Sequence, residues 1–150
     1  TARAACLSSH HGRSTADKSS RNLYVVNTAD LVADFTMNLA QAAATYDLCI
    51  ATGGDVCLWG IGVFCTVAGT NWTSVTVQTN DTTAFVFMDA TAGARANFTA
   101  GKNVAVTWAQ VQKPLLRSGQ KIQYTIAGTT GVGTARVQLY YYSLAGGDLL

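Results

Sequence analysis

Few residues in this sequence could do acid–base, nucleophilic or metal chemistry, and they are not grouped. The two histidines, His10 and His11, are adjacent and lie near Cys6 in a polar N-terminal segment. This cluster lacks the fourth ligand that a zinc site needs. Glutamate is absent, and the aspartates stand mostly at turn positions, where backbone hydrogen bonds account for them. We therefore expect no enzymatic activity, no bound metal and no cofactor.

The cysteines carry the other reactive groups, and their spacing contains no C-x-x-C pair. That absence argues against a zinc ribbon or a redox motif. We expect all four to be free thiols, buried as small hydrophobic side chains. The alternative is a disulfide between Cys49 and Cys57 across a hairpin, which requires an oxidising compartment. The sequence leaves open the redox state of three of them: Cys49, Cys57 and Cys65.

A glycine-rich stretch, "GTTGVG" at 128–133, superficially resembles a phosphate-binding loop. It lacks the Lys-Ser/Thr pair that follows in a P-loop, and no helix is predicted after it. We interpret it as the turn of a hairpin between "QKIQYTIAG" and "TARVQLYYY".

The composition favours a single β-rich domain. The chain has 150 residues, of which 49% are hydrophobic and 12% are charged. The charged fraction is about half of the usual quarter, which leaves little to keep a lone domain dispersed. Thr, Ala, Val and Gly are abundant, and a helical protein would rarely do without glutamate. This composition suits a protein whose surface is covered by partner chains in a large assembly better than it suits a monomeric enzyme.

The charge is distributed unevenly. Residues 1–22 carry one aspartate and four basic side chains, Arg3, Arg13, Lys18 and Arg21, whereas residues 23–150 carry six basic side chains and seven aspartates. We predict that residues 1–22 form an extended basic arm and that its four basic side chains contact an acidic or polar partner surface. A solvated terminus is the plainer alternative. The domain at 23–150 has too few bases to bind nucleic acid, and no apolar run is long enough to span a membrane.

Period-two alternation predicts about eight short strands, separated by turn signals such as "TGGD" at 52–55 and "AGTN" at 68–71. The segment 31–39 fits a helix as well as a strand, and we predict a strand because the rest of the chain is strand-like. In "VCLWGIGVFCTV" nearly every residue is apolar, which suits a central strand. Gly60 and Gly62 lie on one side of that strand, where a bulky ring or a neighbouring chain could approach. The predicted fold is an all-β jelly-roll or β-sandwich.

The last predicted strand ends in three consecutive tyrosines. Val137, Leu139 and Tyr141 share one face of this strand, which we expect to face the core. The other face starts polar and ends in two large rings, so we expect Arg136, Tyr140 and Tyr142 to form a subunit interface.

Several ordered segments resemble a family of small structural proteins of tailed bacteriophages, the capsid cement or decoration proteins. These segments are "NLAQAAATYDL", "ATGGDV", "TSVTVQTNDTT", "ANFTAGKNVAV" and "SGQKIQYTIAGTTGVGTARVQLYYYSLAGGDL". The resemblance runs from about Asp34 to Leu149. It implies a jelly roll that forms homotrimers on the outer capsid surface and bridges neighbouring capsomers.

The expected function is therefore that of a non-enzymatic virion protein, made in the host cytoplasm, that stabilises a capsid. Its expected partners are two further copies of itself and the major capsid protein, with no nucleic acid and no membrane. A head fibre or a tail component is an open variant of this role. The alternative function is carbohydrate binding by a β-sandwich that presents an exposed, coplanar pair among Trp59, Trp72 and Trp108.

Overall fold

The structure, a computed structural model, describes residues 31–150, and this part of the chain contains strands but no α-helix. The strands are β1 (Leu31–Asn38), β2 (Thr45–Thr52), β3 (Asp55–Thr79), β4 (Val86–Met88), β5 (Lys102–Val104), β6 (Leu115–Leu116), β7 (Lys121–Leu144) and β8 (Asp148–Leu149). A single turn of 3-10 helix covers Arg95–Asn97. The predicted all-β jelly-roll or β-sandwich of about eight strands is confirmed, including the strand at 31–38.

Two strands are several times longer than a typical strand of about five or six residues. β3 has 25 residues and β7 has 24, and they pair with each other in antiparallel orientation along nearly their whole length. Asp55 pairs with Leu144 at one end of this ribbon, and Thr79 pairs with Ile122 at the other. β1 and β2 both pair with the far side of β7, so the ribbon is the centre of the sheet.

The connection between β3 and β7 runs back along the other side of β3. β4 pairs near Val77, Ala94 forms an isolated bridge with Ser74, and β5 and β6 pair nearer the start of β3. Both long sides of the ribbon are therefore covered by shorter strands.

The ribbon folds over on itself. Ser118 donates a backbone hydrogen bond of 2.9 Å to the carboxylate of Asp55, at the start of β3. Lys121 donates one of 2.9 Å to the side chain of Asn80, just beyond the end of β3. One short segment thus contacts both ends of a 25-residue strand, which requires that strand to bend back.

The two halves of the folded ribbon form two layers. Layer A contains β1, β5, β6, the first half of β3 and the second half of β7, whereas layer B contains β2, β4, β8 and the remaining halves. Buried side chains of both layers belong to one hydrophobic cluster, with Val63 and Leu139 from layer A and Val77 and Ile122 from layer B. A core shared by two inner faces is the arrangement of a β-sandwich.

Glycines place the bend. The register of β3 against β7 shifts four times between Cys65 and Ser74, where β3 lies opposite residues 128–134 of β7. A Cβ atom on Gly131 would lie 1.6 Å from the carbonyl oxygen of Thr70, so the backbones can approach this closely only at a glycine. The turns predicted at 68–71 and 129–133 are wrong, because both stretches continue their strands. Their glycine signals mark bends inside paired strands.

Tyr141 ties the two layers together. It lies on β7 in layer A, and its hydroxyl donates a hydrogen bond to the carboxylate of Asp148 on β8 in layer B. Burial, and after it the hydrogen bond to this carboxylate, raises the pKa of Tyr141 to about 12. The assignment of Tyr141, with Val137 and Leu139, to the core face is confirmed, since all three are buried.

Substitution of Gly131 by alanine tests the close approach at the bend. We expect Gly131→Ala to lower the free energy of unfolding by about 3 kcal/mol or more, at the upper end for single substitutions, because the strands must separate. Gly62→Ala is the matched control, since no atom lies within 4 Å of its added Cβ. Urea unfolding measures both variants. Equal effects would contradict the bend geometry.

The Tyr141 hydroxyl should make stability depend on pH above 10. Its raised pKa means that the folded state keeps this proton up to about pH 12, whereas an unfolded tyrosine loses it near pH 10. The contribution is therefore complete below pH 10 and is lost as the pH rises towards 12. We expect Tyr141→Phe to cost about 1.5–3 kcal/mol at pH 8, for the lost hydrogen bond to a carboxylate. This difference from wild type should shrink at pH 11.5 in urea unfolding, and a constant difference would contradict the assignment.

Candidate functional site

The candidate site lies on the outer face of layer A, where the alternate residues of β7 point away from the core. Opposite them on β3 lie Cys57 and two glycines, followed by Phe64, and on β1 lie Val32, Asp34 and Thr36. The residues that β7 contributes are Arg136, Gln138, Tyr140 and Tyr142. The structure therefore brings the three predicted interface residues onto one face of one strand.

Tyr142 is largely covered by its own chain. It is 6% exposed and belongs to a small second cluster with Cys57 and Leu144, against which Trp59 and Leu115 pack. The rings of Tyr142 and Trp59 lie 6.1 Å apart between centroids and are nearly parallel, at 29°. Little of this ring remains exposed for contact with another subunit. Its place in a subunit interface therefore stays a prediction.

Tyr140 is half-buried and lies closer to the open surface. Its ring covers Gly60, where a Cβ atom would lie 3.1 Å from the ring, and it packs on Trp59 at 5.2 Å between centroids. Its hydroxyl donates a hydrogen bond of 3.0 Å to the side-chain oxygen of Gln138. The predicted approach of a bulky ring at Gly60 is confirmed, and the ring comes from the same chain.

Trp59 has one polar atom without a partner. A register shift between Leu58 and Gly60 places Trp59 at an irregularity of β3, where it packs against both tyrosines. Its indole Nε1 is buried and makes no hydrogen bond, and no other buried side-chain nitrogen or oxygen of the described residues lacks one. Burying this donor without an acceptor costs free energy, and no contact within residues 31–150 offsets that cost.

Arg136 is held by an ion pair on the exposed side of the face. Its Nε and Nη2 donate hydrogen bonds of 3.0 and 2.9 Å to the two carboxylate oxygens of Asp34 on β1. The hydrogen bond from Arg136 lowers the pKa of Asp34, and the same bond raises the pKa of Arg136. Exposed pairs add little to folding stability, so the main effect is to orient the guanidinium and to neutralise it.

A groove of about 560 Å³ opens beside these residues. We call it the Gly62 groove, and its lining includes Gly62, Phe64, Asn103, Val106, Gln138 and Tyr140. Gly62 lies opposite Gln138 in the sheet, and within residues 31–150 no atom beyond its chain neighbours lies within 4 Å of a Cβ built on it. The missing side chain thus leaves room for a group that does not belong to the described chain.

The cysteines differ from the prediction. Cys57 is disulfide-bonded, whereas Cys49 and Cys65 are free and buried. The expectation of four free thiols is therefore wrong for Cys57, and the alternative Cys49–Cys57 disulfide is wrong as well. β2 and β3 do not form a hairpin, because β2 pairs with β7 and β8. The remaining cysteine, Cys6, lies outside the described residues.

The two free thiols are poor nucleophiles. Burial raises the pKa of Cys49 to about 12, and it raises the pKa of Cys65 as well. A thiol with such a pKa carries almost no thiolate at neutral pH. Both side chains therefore serve as packing groups, which is the role predicted for them.

The tryptophans do not form the platform that sugar binding would need. Trp72 is fully buried at the bend, where its Nε1 donates a hydrogen bond of 2.8 Å to the carbonyl of Val132. Trp108 is 7% exposed and donates to the carbonyl of Gln112. Trp59 is the one tryptophan that is partly exposed. The exposed coplanar pair expected for the carbohydrate-binding alternative is not formed.

Several predicted functional residues lie outside the described part of the chain. These are the arm residues Arg3, Arg13, Lys18 and Arg21. Cys6, His10 and His11, for which no metal site was expected, lie outside it as well. Within residues 31–150, no three His, Cys, Asp or Glu side chains come together in a way that could hold a metal ion. No helix in the same range is long and apolar enough to cross a membrane.

The Gly62 groove and the contact of Trp59 with the tyrosines were not predicted from the sequence. Gly60 and Gly62 are two residues apart and share a face of the strand, which indicated a place on that face without side chains. It could not show that the ring of Tyr140 fills the space at Gly60 and leaves Gly62 open.

Comparison with known proteins gives similarity to solved structures only. No protein-family model matches the sequence, and no curated protein matches it. The chain is similar to a chain of the "Acidic stable capsid structure of Helicobacter pylori bacteriophage KHP30", with a TM-score of 0.49 and 12% sequence identity. The match covers 85% of this chain and 95% of that chain. A likeness at this level supports no inference about function.

The disulfide can be tested by peptide mapping. We expect alkylation after denaturation without reductant to label Cys49 and Cys65, and to leave Cys57 unlabelled within a crosslinked peptide. After reduction, Cys57 should be labelled as well. An alkylated Cys57 in the sample without reductant would contradict the structure.

Proposed function

We propose that this chain is a structural protein of a bacteriophage virion, a homotrimeric cement protein that binds the outer surface of a capsid and stabilises it. The observation that carries the proposal is the outer face of layer A. It is rich in aromatic and apolar side chains, and it contains an open groove. The charges of Arg136 and Asp34 on this face neutralise each other. A wet sheet face would normally be polar, so this face suits contact with protein.

The resemblance to capsid cement proteins supports the same role, because the quoted segments occur in the same order from about Asp34 to Leu149. The low charge of the chain supports it too, since 12% charged residues suit a protein whose surface becomes covered. Carbohydrate binding has no comparable support, because the tryptophan pair on which it depended is not formed.

The mechanism would be multivalent attachment. A trimer that engages three equivalent places on the capsid gains avidity without any single strong contact, provided that all three can be engaged together. The sandwich supplies a stiff body for this purpose, since its core runs through both layers. The major capsid protein is the proposed partner.

The basic arm at 1–22 would add weak contacts to the capsid in the same way. Exposed ion pairs are worth only about 0–1 kcal/mol each, and salt screens them. Arg3, Arg13, Lys18 and Arg21 would therefore act through their sum and would make attachment sensitive to ionic strength.

Light scattering and particle binding test this function. We expect the full-length protein to have the mass of a trimer at micromolar concentration. We also expect it to co-sediment with phage particles that lack their decoration, and to raise the temperature at which those particles release DNA.

A full-length variant with all four arm bases changed to glutamine should bind with a smaller dependence on salt. Wild-type protein that stays monomeric would contradict the homotrimer. Protein that neither co-sediments with particles nor stabilises them would contradict the cement role.

A further inference from the structure

We propose that the Gly62 groove is where copies of this chain meet, and that it receives an apolar side chain of a second copy. This inference rests on the proposed homotrimer and assigns its contact surface. It also moves the centre of the predicted interface from Tyr142, which its own chain covers, to the open part of the same face.

The shape of the groove fits a side chain. Gly62 lies opposite Gln138 on β7, next to the pair formed by Gly60 and Tyr140, and the described residues leave the space above Gly62 open. Phe64 and Val106 give the groove apolar walls, while Asn103 and Gln138 supply polar groups. A protruding side chain from another protein can reach the sheet here as closely as a core residue would.

The surface around the groove is apolar enough to be worth burying. Phe64 is 39% exposed on one wall, and Val32, opposite Tyr140 on β1, is 52% exposed. Gln110, which approaches Gly60, is followed by Val111, the most exposed large hydrophobic side chain of the described residues at 78%. Burial of such side chains removes apolar surface from water, which favours association.

The charge of this face points to a second copy as the occupant. Arg136 and Asp34 neutralise each other, and residues 31–150 together carry six basic side chains and six aspartates, so their formal charges cancel. A polyanion such as nucleic acid, or an anionic lipid surface, would need excess basic charge. The same residues of a second copy are balanced in charge as well, so the two faces do not repel each other. The guanidinium of Arg136 also keeps donors that Asp34 does not use, and these can reach a carbonyl of the partner.

Gly62→Phe tests the groove. Among the described residues, no atom beyond its chain neighbours lies within 4 Å of the Cβ built on Gly62, so we expect the fold to accommodate a larger side chain that fills the groove. Thr76→Phe is the matched control, because Thr76 lies between buried Val75 and Val77 and points to the outer face of layer B. Light scattering at micromolar concentration gives the mass, and thermal unfolding reports on the fold. We expect wild type and Thr76→Phe to be trimers and Gly62→Phe to be a folded monomer.

Phe64→Thr serves as a second variant, since it only shortens an exposed wall of the groove and suits a strand. We expect it to raise the concentration at which the trimer dissociates by about tenfold or more. If wild type is a trimer and both groove variants remain trimers at the same concentrations, the inference is wrong while the proposed homotrimer stands.

A wild-type monomer would contradict the homotrimer and the inference together. In that case, a lower thermal midpoint for Gly62→Phe than for Thr76→Phe would assign the groove to another segment of the same chain. Trimers dissociated equally by Gly62→Phe and Thr76→Phe would show a general effect of added bulk and would also overturn the assignment.

Discussion

The pairing of β3 with β7 is the constraint on which the rest of the structure depends. Every other strand pairs with one of these two or, in the case of β8, with a strand that does. The ribbon must bend to bring its two halves over one core, and the bend needs backbones closer than any side chain permits, as at Gly131. Because most of these pairings, apart from that of β4 with β3, join distant parts of the chain, little of the sheet can be stable before the ribbon has formed.

The ribbon also determines what the surface can offer. Along the second half of β7, every second residue enters the shared core, so the residues between them must form the outer face. Their neighbours on β3 then decide whether each is covered. The two glycines opposite Tyr140 and Gln138 put no β3 side chain on that part of the outer face. The register shift between Leu58 and Gly60 places Trp59 where its ring packs against Tyr140 and Tyr142. The covered Tyr142 and the open groove are consequences of the same strand pairing.

Much of this could be predicted from local sequence pattern. Alternation gave the strand class, the core face through Val137, Leu139 and Tyr141, and the close approach of a ring at Gly60. The glycine-rich stretches were wrongly predicted as turns, because a glycine such as Gly131 suits a turn and a bent strand equally well. The close approach of Gly131 to the backbone of Thr70 on the paired strand distinguishes the two, and the sequence does not show it. The cysteines misled for a related reason. Spacing favoured free thiols and left a Cys49–Cys57 disulfide as the alternative, but the chain crosses between layers after β2, so these two residues belong to different strand pairs.

The charge pattern connects the fold to assembly. In a sandwich this rich in threonine and valine, solubility depends on few charged groups, and the described residues have no net charge with which to repel one another. Neutral β-sandwiches with exposed apolar side chains associate unless something prevents it, and edge pairing between sheets is the usual unwanted form. In the proposed trimer, the Gly62 groove would give association a single geometry, because Gly62 is open whereas Tyr140 fills the space at Gly60 and Tyr142 packs on its own chain. The open place in the sheet would then limit a general tendency to associate to contact at one site.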